Sequence, residues 1–201
     1  MQKEPLIGDR VFLVHGLFSP QECADHVALS EAAGYEDAGL GGVADPVVFK
    51  QLRDNARVLR DDAALSTSLF ERVEPFLPDW EGWRPVGLSS YWRYYRYDPG
   101  QRFAPHMDGC HSTPEGDRSW FTLLIYLNEE FDGDGTNFYR SRHDILRVRP
   151  PKGSAVVFLH EQMHEGAEVL SGRKYALRTD VMYRPTSAES PDRRAGSASD
   201  G

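Results

Sequence analysis

Tyr91-Trp92-Arg93-Tyr94-Tyr95-Arg96-Tyr97 is followed by Asp98-Pro99-Gly100 and then by His106-Met107-Asp108. The first seven residues are rich in aromatic side chains and read as a strand, and Asp-Pro-Gly reads as the turn that ends it. The same alternating pattern returns at residues 120–127, 136–139, 145–148, 155–159 and 175–183, with Gly, Pro, Asn and Asp clusters such as Pro150-Pro151-Lys152-Gly153 between them. The second half of the chain is therefore expected to be a succession of short strands.

Upstream the period differs. A short apolar run, Val11-Phe12-Leu13-Val14, predicts a first strand, and Ser19-Pro20-Gln21-Glu22 predicts a helix start. Ser can cap, Pro suits the first helical position, and Glu stands three after the Ser as in a capping box. This helix is expected to run to Ala33 and stop at Gly34. Residues 35–50 are Gly-rich and read as loop. A second helix is expected from Asp61 or Asp62 to about Glu74, ending before Pro75 and Pro78. Helices first and many strands afterwards indicate a mainly β, α+β fold, a β-sandwich or jelly roll buttressed by N-terminal helices. One domain is expected over residues 1–185, with helical support in 1–85 and the jelly-roll core in about 86–185. Residues 186–201 lack a large apolar side chain and are expected to be disordered. There is no internal repeat.

Composition sets bounds. The chain has 201 residues, enough for one domain with a substantial core, and its formal charge of -8 argues against a sequence-independent grip on nucleic acid. Two cysteines, Cys23 and Cys110, are too few for a disulfide framework and fit a reducing compartment. Residues 1–10 lack an apolar signal core and no segment approaches a membrane span, so a cytoplasmic protein without membrane contact is expected.

The candidate chemistry lies in three places. His106 and Asp108 are two residues apart, so on a strand both face one side and can converge on one ion, while Met107 faces away. His164 follows 56 residues later and Lys174 stands ten beyond it. Two imidazoles and a carboxylate suit a facial triad that holds non-haem Fe(II) and leaves positions open for oxygen and a chelating co-substrate. A following Lys supplies a counter-charge for the far carboxylate of such a co-substrate.

These motifs, with Tyr97-Asp98-Pro99-Gly100, Tyr126-Leu127-Asn128, His164-Glu165-Gly166 and Gly172-Arg173-Lys174-Tyr175, make residues 91–183 resemble the catalytic domain of Fe(II)/2-oxoglutarate-dependent oxygenases of the prolyl 4-hydroxylase type. The resemblance implies a double-stranded β-helix with iron at its open mouth. It implies His106, Asp108 and His164 as iron ligands, Lys174 and Tyr126 as partners of the co-substrate's C5 carboxylate, and Tyr97 as a lining residue of the co-substrate pocket. Fe(II), 2-oxoglutarate and O2 are then required, with ascorbate as a candidate reductant. The implied reaction hydroxylates a C–H bond, of a prolyl residue, a free amino acid or another small metabolite, and releases succinate and CO2. Phe131-Asp132-Gly133-Asp134-Gly135-Thr136 resembles the family's Gly-Gly-x-Thr turn, with Asp134 in place of the second Gly. If that position needs a positive φ, Asp is among the better substitutes.

Competing assignments remain. His160 is a rival third ligand, but it ends an apolar run and lacks the following Glu-Gly. Cys110 and His111 are too few for a tetrahedral zinc site. His15, His26 and His143 read as ordinary residues. Arg173 competes with Lys174, and alternation lets only one face inward. If that is Lys174, then Ala176, Arg178 and Asp180 share its face, and Tyr175, Leu177, Thr179 and Val181 pack against the helices. Arg93 likewise shares a face with Tyr95 and Tyr97. Arg93, Arg178 and Asp180 are thus candidate substrate contacts, with a structural Arg178–Asp180 pair as the alternative. Loops 35–50 and 109–118 are expected to frame the mouth. Two other functions are conceivable: a cupin-like metal-binding protein without oxygenase activity, which has no use for Lys174 and Tyr126, and a nucleic-acid demethylase, which the acidic balance disfavours. Oligomeric state is not encoded in any motif.

Overall fold

The computed structural model describes residues 1–37 and 52–186. In chain order the elements are β1 (Gln2–Ile7), β2 (Val11–His15), α1 (Pro20–Ala33), β3 (Glu36–Asp37), β4 (Ala56–Asp61), α2 (Ala63–Val73) and a 3-10 turn (Glu74–Phe76). Then come β5 (Trp83–Leu88), β6 (Tyr91–Tyr97), β7 (Phe103–His106), β8 (Arg118–Tyr126), β9 (Phe131–Asp132) and β10 (Thr136–Ser141). The chain closes with β11 (Asp144–Val148), β12 (Ala155–Leu159), β13 (His164–Gly166), β14 (Ser171–Gly172) and β15 (Lys174–Pro185). The expected loop at 38–50 and tail at 187–201 lie outside the described residues.

The strands form a jelly roll. The major sheet runs β1-β2-β12-β8-β15-β6-β4-β3, with β5 also paired to β15, and the minor sheet runs β11-β10-β13-β7. Strand β15 is the axis of the major sheet, antiparallel to β8 on one side and to β6 and β5 on the other. Its two faces serve two different cores. Tyr175, Leu177, Val181 and Tyr183 join Trp92, Tyr94, Phe121, Leu123 and Val157 in the layer that packs Cys23 of α1 and Leu69 and Val73 of α2. Ala176, on the other face, lies with Tyr95, Tyr97, Tyr126 and Phe158 against Phe138 of the minor sheet. The site occupies this second, inter-sheet layer.

Both helices begin as their sequences predict. The Ser19 hydroxyl accepts from Glu22 N at 3.2 Å and Ser19 N donates to the Glu22 carboxylate at 2.6 Å, a complete capping box. Asp62 caps α2 by accepting from Leu65 N at 2.9 Å. The first 85 residues do more than supply helices, however. Four strands, β1 to β4, lie there and a fifth, β5, begins there, and all five extend the major sheet. Helix α1 is tied to the sheet through the turn before β12, where Phe18 N donates to Gly153 O at 2.9 Å and Gly153 N donates to Tyr126 O at 2.8 Å.

At Gly153 φ is +79°, and a Cβ would stand 2.2 Å from Phe18 O. Both the dihedral and the contact oppose any side chain. Gly153→Ala is expected to lower stability by about 2 kcal/mol or more. Urea unfolding checks this as a drop in midpoint at unchanged slope.

Candidate metal and co-substrate site

Strand pairing brings the imidazoles together. In the β7–β13 ladder His106 is opposite His164, and the two rings are 4.3 Å apart between centroids. His106 Nδ1 lies 2.8 Å from Ala104 O, and His164 Nδ1 lies 2.9 Å from Gln162 O. A carbonyl can only accept, so each Nδ1 carries the proton and each Nε2 is left with a lone pair toward the site.

Asp108 reaches the same point by another route than the one expected. Strand β7 stops at His106, so His106 and Asp108 are not strand neighbours sharing a face. Instead Asp108 N donates to His160 O at 2.9 Å, which turns the chain back and aims the carboxylate inward. Its two oxygens lie 3.7 Å from His106 Nε2 and 3.8 Å from His164 Nε2. These atoms are too far apart to hydrogen-bond, yet one donor atom from each residue falls within 4.8 Å of the others. Two neutral imidazoles and one carboxylate with a common focus fit a divalent iron ion.

The protonation states suit that task. Burial above all, and His164 beside it, push His106 down to about 4 against the pull of Asp108. His164 is lowered too, with burial again the largest cause. Both are neutral at pH 7. For Asp108 burial works upward, but the Arg178 guanidinium, His164 and the Thr122 hydroxyl outweigh it and keep the carboxyl below its ordinary value. Thr122 Oγ1 donates to Asp108 Oδ2 at 2.6 Å and Arg178 Nη2 stands 3.1 Å from the same oxygen.

The cavity continues from the triad between Tyr95, Leu124 and Phe158 to Lys174 and Thr136. Lys174 is 1% exposed, and its Nζ donates to Gly135 O at 2.5 Å and lies 4.8 Å and 5.2 Å from the Tyr97 and Tyr126 ring centroids. Among the described residues no carboxylate is within ion-pair distance of it. Burial pushes its ammonium down to about 7. A buried cation without a counter-ion, at the end of a cavity that starts at three metal-type donors, fits a ligand that chelates at one end and carries a carboxylate at the other. The Tyr126 hydroxyl is 2.6 Å from Thr136 Oγ1 at this end, bridging the two sheets.

Arg173 points the other way and donates to Asp98 at 2.6 Å near the surface. Arg178 and Asp180 face inward as a pair at 3.1 Å, and Arg93 adds a second guanidinium to Asp180 at 3.1 Å. His160 lies apart from the donor cluster, with Nε2 3.5 Å from Asp180 Oδ1. His111 Nδ1 is 3.8 Å from Asp180 Oδ2, and exposed Cys110 accepts from Arg118 at 3.1 Å. His15 pairs with Glu4, His26 stacks on Phe18, and His143 is exposed. In the Gly133–Thr136 turn the positive φ, +111°, belongs to Gly133, and Asp134 forms an ordinary ion pair with Arg147 at 3.1 Å. At Gly135 it is space that matters, because a Cβ would lie 2.4 Å from Val148 O.

Sequence reasoning missed Arg53, Tyr95 and Thr122 at this site. Alternation along β8 could have found Thr122, since it shares a face with Tyr126, and alternation along β6 placed Tyr95 beside Tyr97 without giving it a role. Arg53 has no local signal. It arrives through an isolated bridge to Phe103.

Residues 92–179 match the family described as the 2OG-Fe(II) oxygenase superfamily. No curated protein matches the chain. Among solved structures, a prolyl hydroxylase from Trichoplax adhaerens in complex with a hypoxia inducible factor peptide fragment is similar with a TM-score of 0.64 and 14% identity, over 86% of this chain and 83% of that one. A Pseudomonas putida prolyl-4-hydroxylase is similar with a TM-score of 0.61 and 18% identity, over 87% and 93%. The viral collagen prolyl hydroxylase of Paramecium Bursaria Chlorella virus-1, in its 2OG complex, gives 0.58 and 17%, over 86% and 96%. At such identities the likeness is one of fold. The matched segment, from Trp92 to Thr179, holds all three metal-type donors, so the part of the chain that resembles the 2OG-Fe(II) oxygenase superfamily is the part that carries the site, on a fold shared with these prolyl hydroxylases.

Proposed function

We propose that residues 1–185 act as one oxygenase domain that hydroxylates a substrate C–H bond, with His106, Asp108 and His164 as the iron ligands and Lys174, Tyr126 and Tyr97 as the co-substrate pocket. The observation that carries this reading is the cavity joining three metal-type donors to a buried lysine that has no carboxylate partner among the described residues. When bound, Fe(II) would supply oxygen activation coupled to conversion of 2-oxoglutarate to succinate and CO2.

The chain's own residues do the rest. Ala104 O and Gln162 O hold the two imidazoles in the tautomer that presents Nε2. Thr122 and Arg178 hold the Asp108 carboxylate ionised and oriented. Lys174 and Tyr126 provide a cationic and a hydroxyl donor for the far carboxylate, a charge-assisted contact stronger than a neutral hydrogen bond. The Tyr97 ring walls the pocket and, with Phe158 and Leu124, keeps water from the reacting centre. The Trichoplax relative is seen with a peptide fragment, which supports a prolyl residue as a candidate substrate beside a free amino acid.

No helix among the described residues is long and apolar enough to cross a membrane, and Cys23 and Cys110 are both free, which supports a reducing, cytoplasmic setting. A cupin-like metal-binding protein without oxygenase activity would have no reason to bury Lys174 uncompensated.

Anaerobic titration of the Fe(II)-loaded protein with 2-oxoglutarate should give a saturable visible charge-transfer band, absent in His164→Ala. Iron bound with no band would move the assignment to the non-oxygenase reading. Lys174→Ala should retain iron and weaken 2-oxoglutarate by at least about tenfold, the scale of one charge-assisted contact. Unchanged affinity would refute the role given to Lys174. The same lysine should cost the ligand-free fold stability. Its unfolded-state value is about 10.4 and its folded value about 7, so the unfolded chain binds the extra proton between these limits and stability rises with pH across them. Lys174→Met should therefore be more stable than the parent at pH 7, by on the order of 1 kcal/mol or more, and should lose that pH slope. Thermal unfolding between pH 7 and pH 10 checks both.

A further inference from the structure

Beside the triad, among the described residues, three buried polar atoms make no hydrogen bond of good geometry: Arg53 Nη2, Tyr95 OH and Arg178 Nε, with the Tyr95 phenol and the Arg178 guanidinium lying against each other. They belong to one cluster. The Arg53 guanidinium lies 4.7 Å from the Tyr95 ring centroid and 4.5 Å from that of Phe103, and Arg178 lines the cavity on the Tyr95 side. Arg53 is 6% exposed, and its Nε is used by Asn55 Oδ1 at 2.7 Å. Among the described residues it has no ion pair. Arg53 and Arg178 also line a second cavity, with Pro105, Met107, His106 and Asp108, that opens next to the triad on the side away from Lys174.

The charge balance there is positive. Among the described residues Arg93 and Arg178 pair with Asp108 and Asp180, and Arg53 has no carboxylate within ion-pair distance. Lys174 and a divalent metal together exceed the two charges of 2-oxoglutarate, so loading the site does not neutralise it. Tyr95 reports the same field. Burial raises its phenol, but Arg178, Arg53 and Arg93 outweigh it and lower it, whereas Tyr97 and Tyr126 in the same layer are raised by burial. A guanidinium stays charged when buried, so Arg53 calls for an anion and not for a neutral carbonyl.

We propose that Arg53 Nη2, with Tyr95 OH and Arg178 Nε beside it, seats the carboxylate of the substrate, so that the molecule oxidised is a small carboxylic acid of the free amino acid class and not an internal residue of a polypeptide. The inference rests on the oxygenase reading above. An internal residue other than Asp or Glu offers no carboxylate, only amide carbonyls and its neutral or basic side chain, and would leave the Arg53 guanidinium without an anion. A planar carboxylate matches the forked donors of a guanidinium.

The test uses [15N]arginine-labelled protein loaded with Ni(II) and 2-oxoglutarate, titrated with acetate, the standard free L-amino acids and their N-acetyl amides, and followed by the arginine Nε–H signals. At least one free acid should bind saturably, with its amide at least about tenfold weaker. Arg53→Met should weaken that acid by a similar factor while 2-oxoglutarate affinity stays within about twofold, and Arg53→Lys should recover part of the loss. Amides that bind as well as acids would overturn the proposal, as would arginine signals indifferent to every acid tested or an Arg53→Met protein that binds like the parent. The Arg53→Lys arm covers the case in which the methionine variant fails to fold, since retained charge with no retained binding preference would also count against it. A parent protein that takes up neither Ni(II) nor 2-oxoglutarate would overturn the oxygenase reading first. A loaded protein blind to carboxylates would overturn this inference alone.

Discussion

Strand β15 imposes the constraint that organises the molecule. It runs through the middle of the major sheet, and its side chains alternate between two buried layers. One face is apolar and closes the core over the helices. The other carries Lys174, Arg178 and Asp180 into the space between the sheets, where charge is costly unless it is paired. Asp180 is 1% exposed and meets Arg93 and Arg178, and Arg178 passes its remaining contact to Asp108. Removing one member of such a network leaves a buried charge and costs about 3–5 kcal/mol, so the strand's register is fixed by its ions as well as by its core. Lys174 is the exception. Among the described residues its one polar partner is the Gly135 carbonyl, and an arriving anion would offset the cost of burying it.

The metal-type donors depend on the same layer. His106 and His164 come from opposite strands of the minor sheet, and Asp108 comes from the loop that Arg178 of the major sheet anchors. The donor set is therefore assembled across the sandwich, not within one hairpin. Each of the three donors has its own supporting contact, from Ala104 O, Gln162 O or the Thr122 hydroxyl, and contacts of this kind orient groups for a metal. Substitutions at Thr122 or Arg178 act on the site through Asp108.

Much of this was legible in the sequence because it is encoded locally. Ser19 and Glu22 announce α1, Asp62 announces α2, and the aromatic and β-branched runs of β6, β8, β12 and β15 give strands wherever both faces are buried. The jelly roll and the ligand candidates follow from those runs and the His-x-Asp. What stayed hidden is non-local. Strand β1, with Lys3, Glu4 and Pro5, is an edge strand whose polar residues mask its pairing. Strands β4 and β5 likewise carry Arg57, Arg60, Arg84 and Pro85 and are set by their partners β6 and β15. The route of Asp108 depends on a bond to His160 O, and no alternation rule contains that. Arg53 enters the site from a bridge fifty residues away from Phe103 in sequence.

The proposed co-substrate pocket turns on one charge, the Lys174 ammonium, which burial pushes down to about 7 with no counter-ion among the described residues. If 2-oxoglutarate supplies that counter-ion, binding must draw a proton onto the lysine. Calorimetric titration of the Ni(II)-loaded protein with 2-oxoglutarate at pH 8, in buffers of different ionisation enthalpy, measures the proton directly. The account predicts uptake of close to one proton per ligand at this pH, falling toward zero as the pH drops below the lysine's free value. Tight binding at pH 8 with no proton taken up would contradict it.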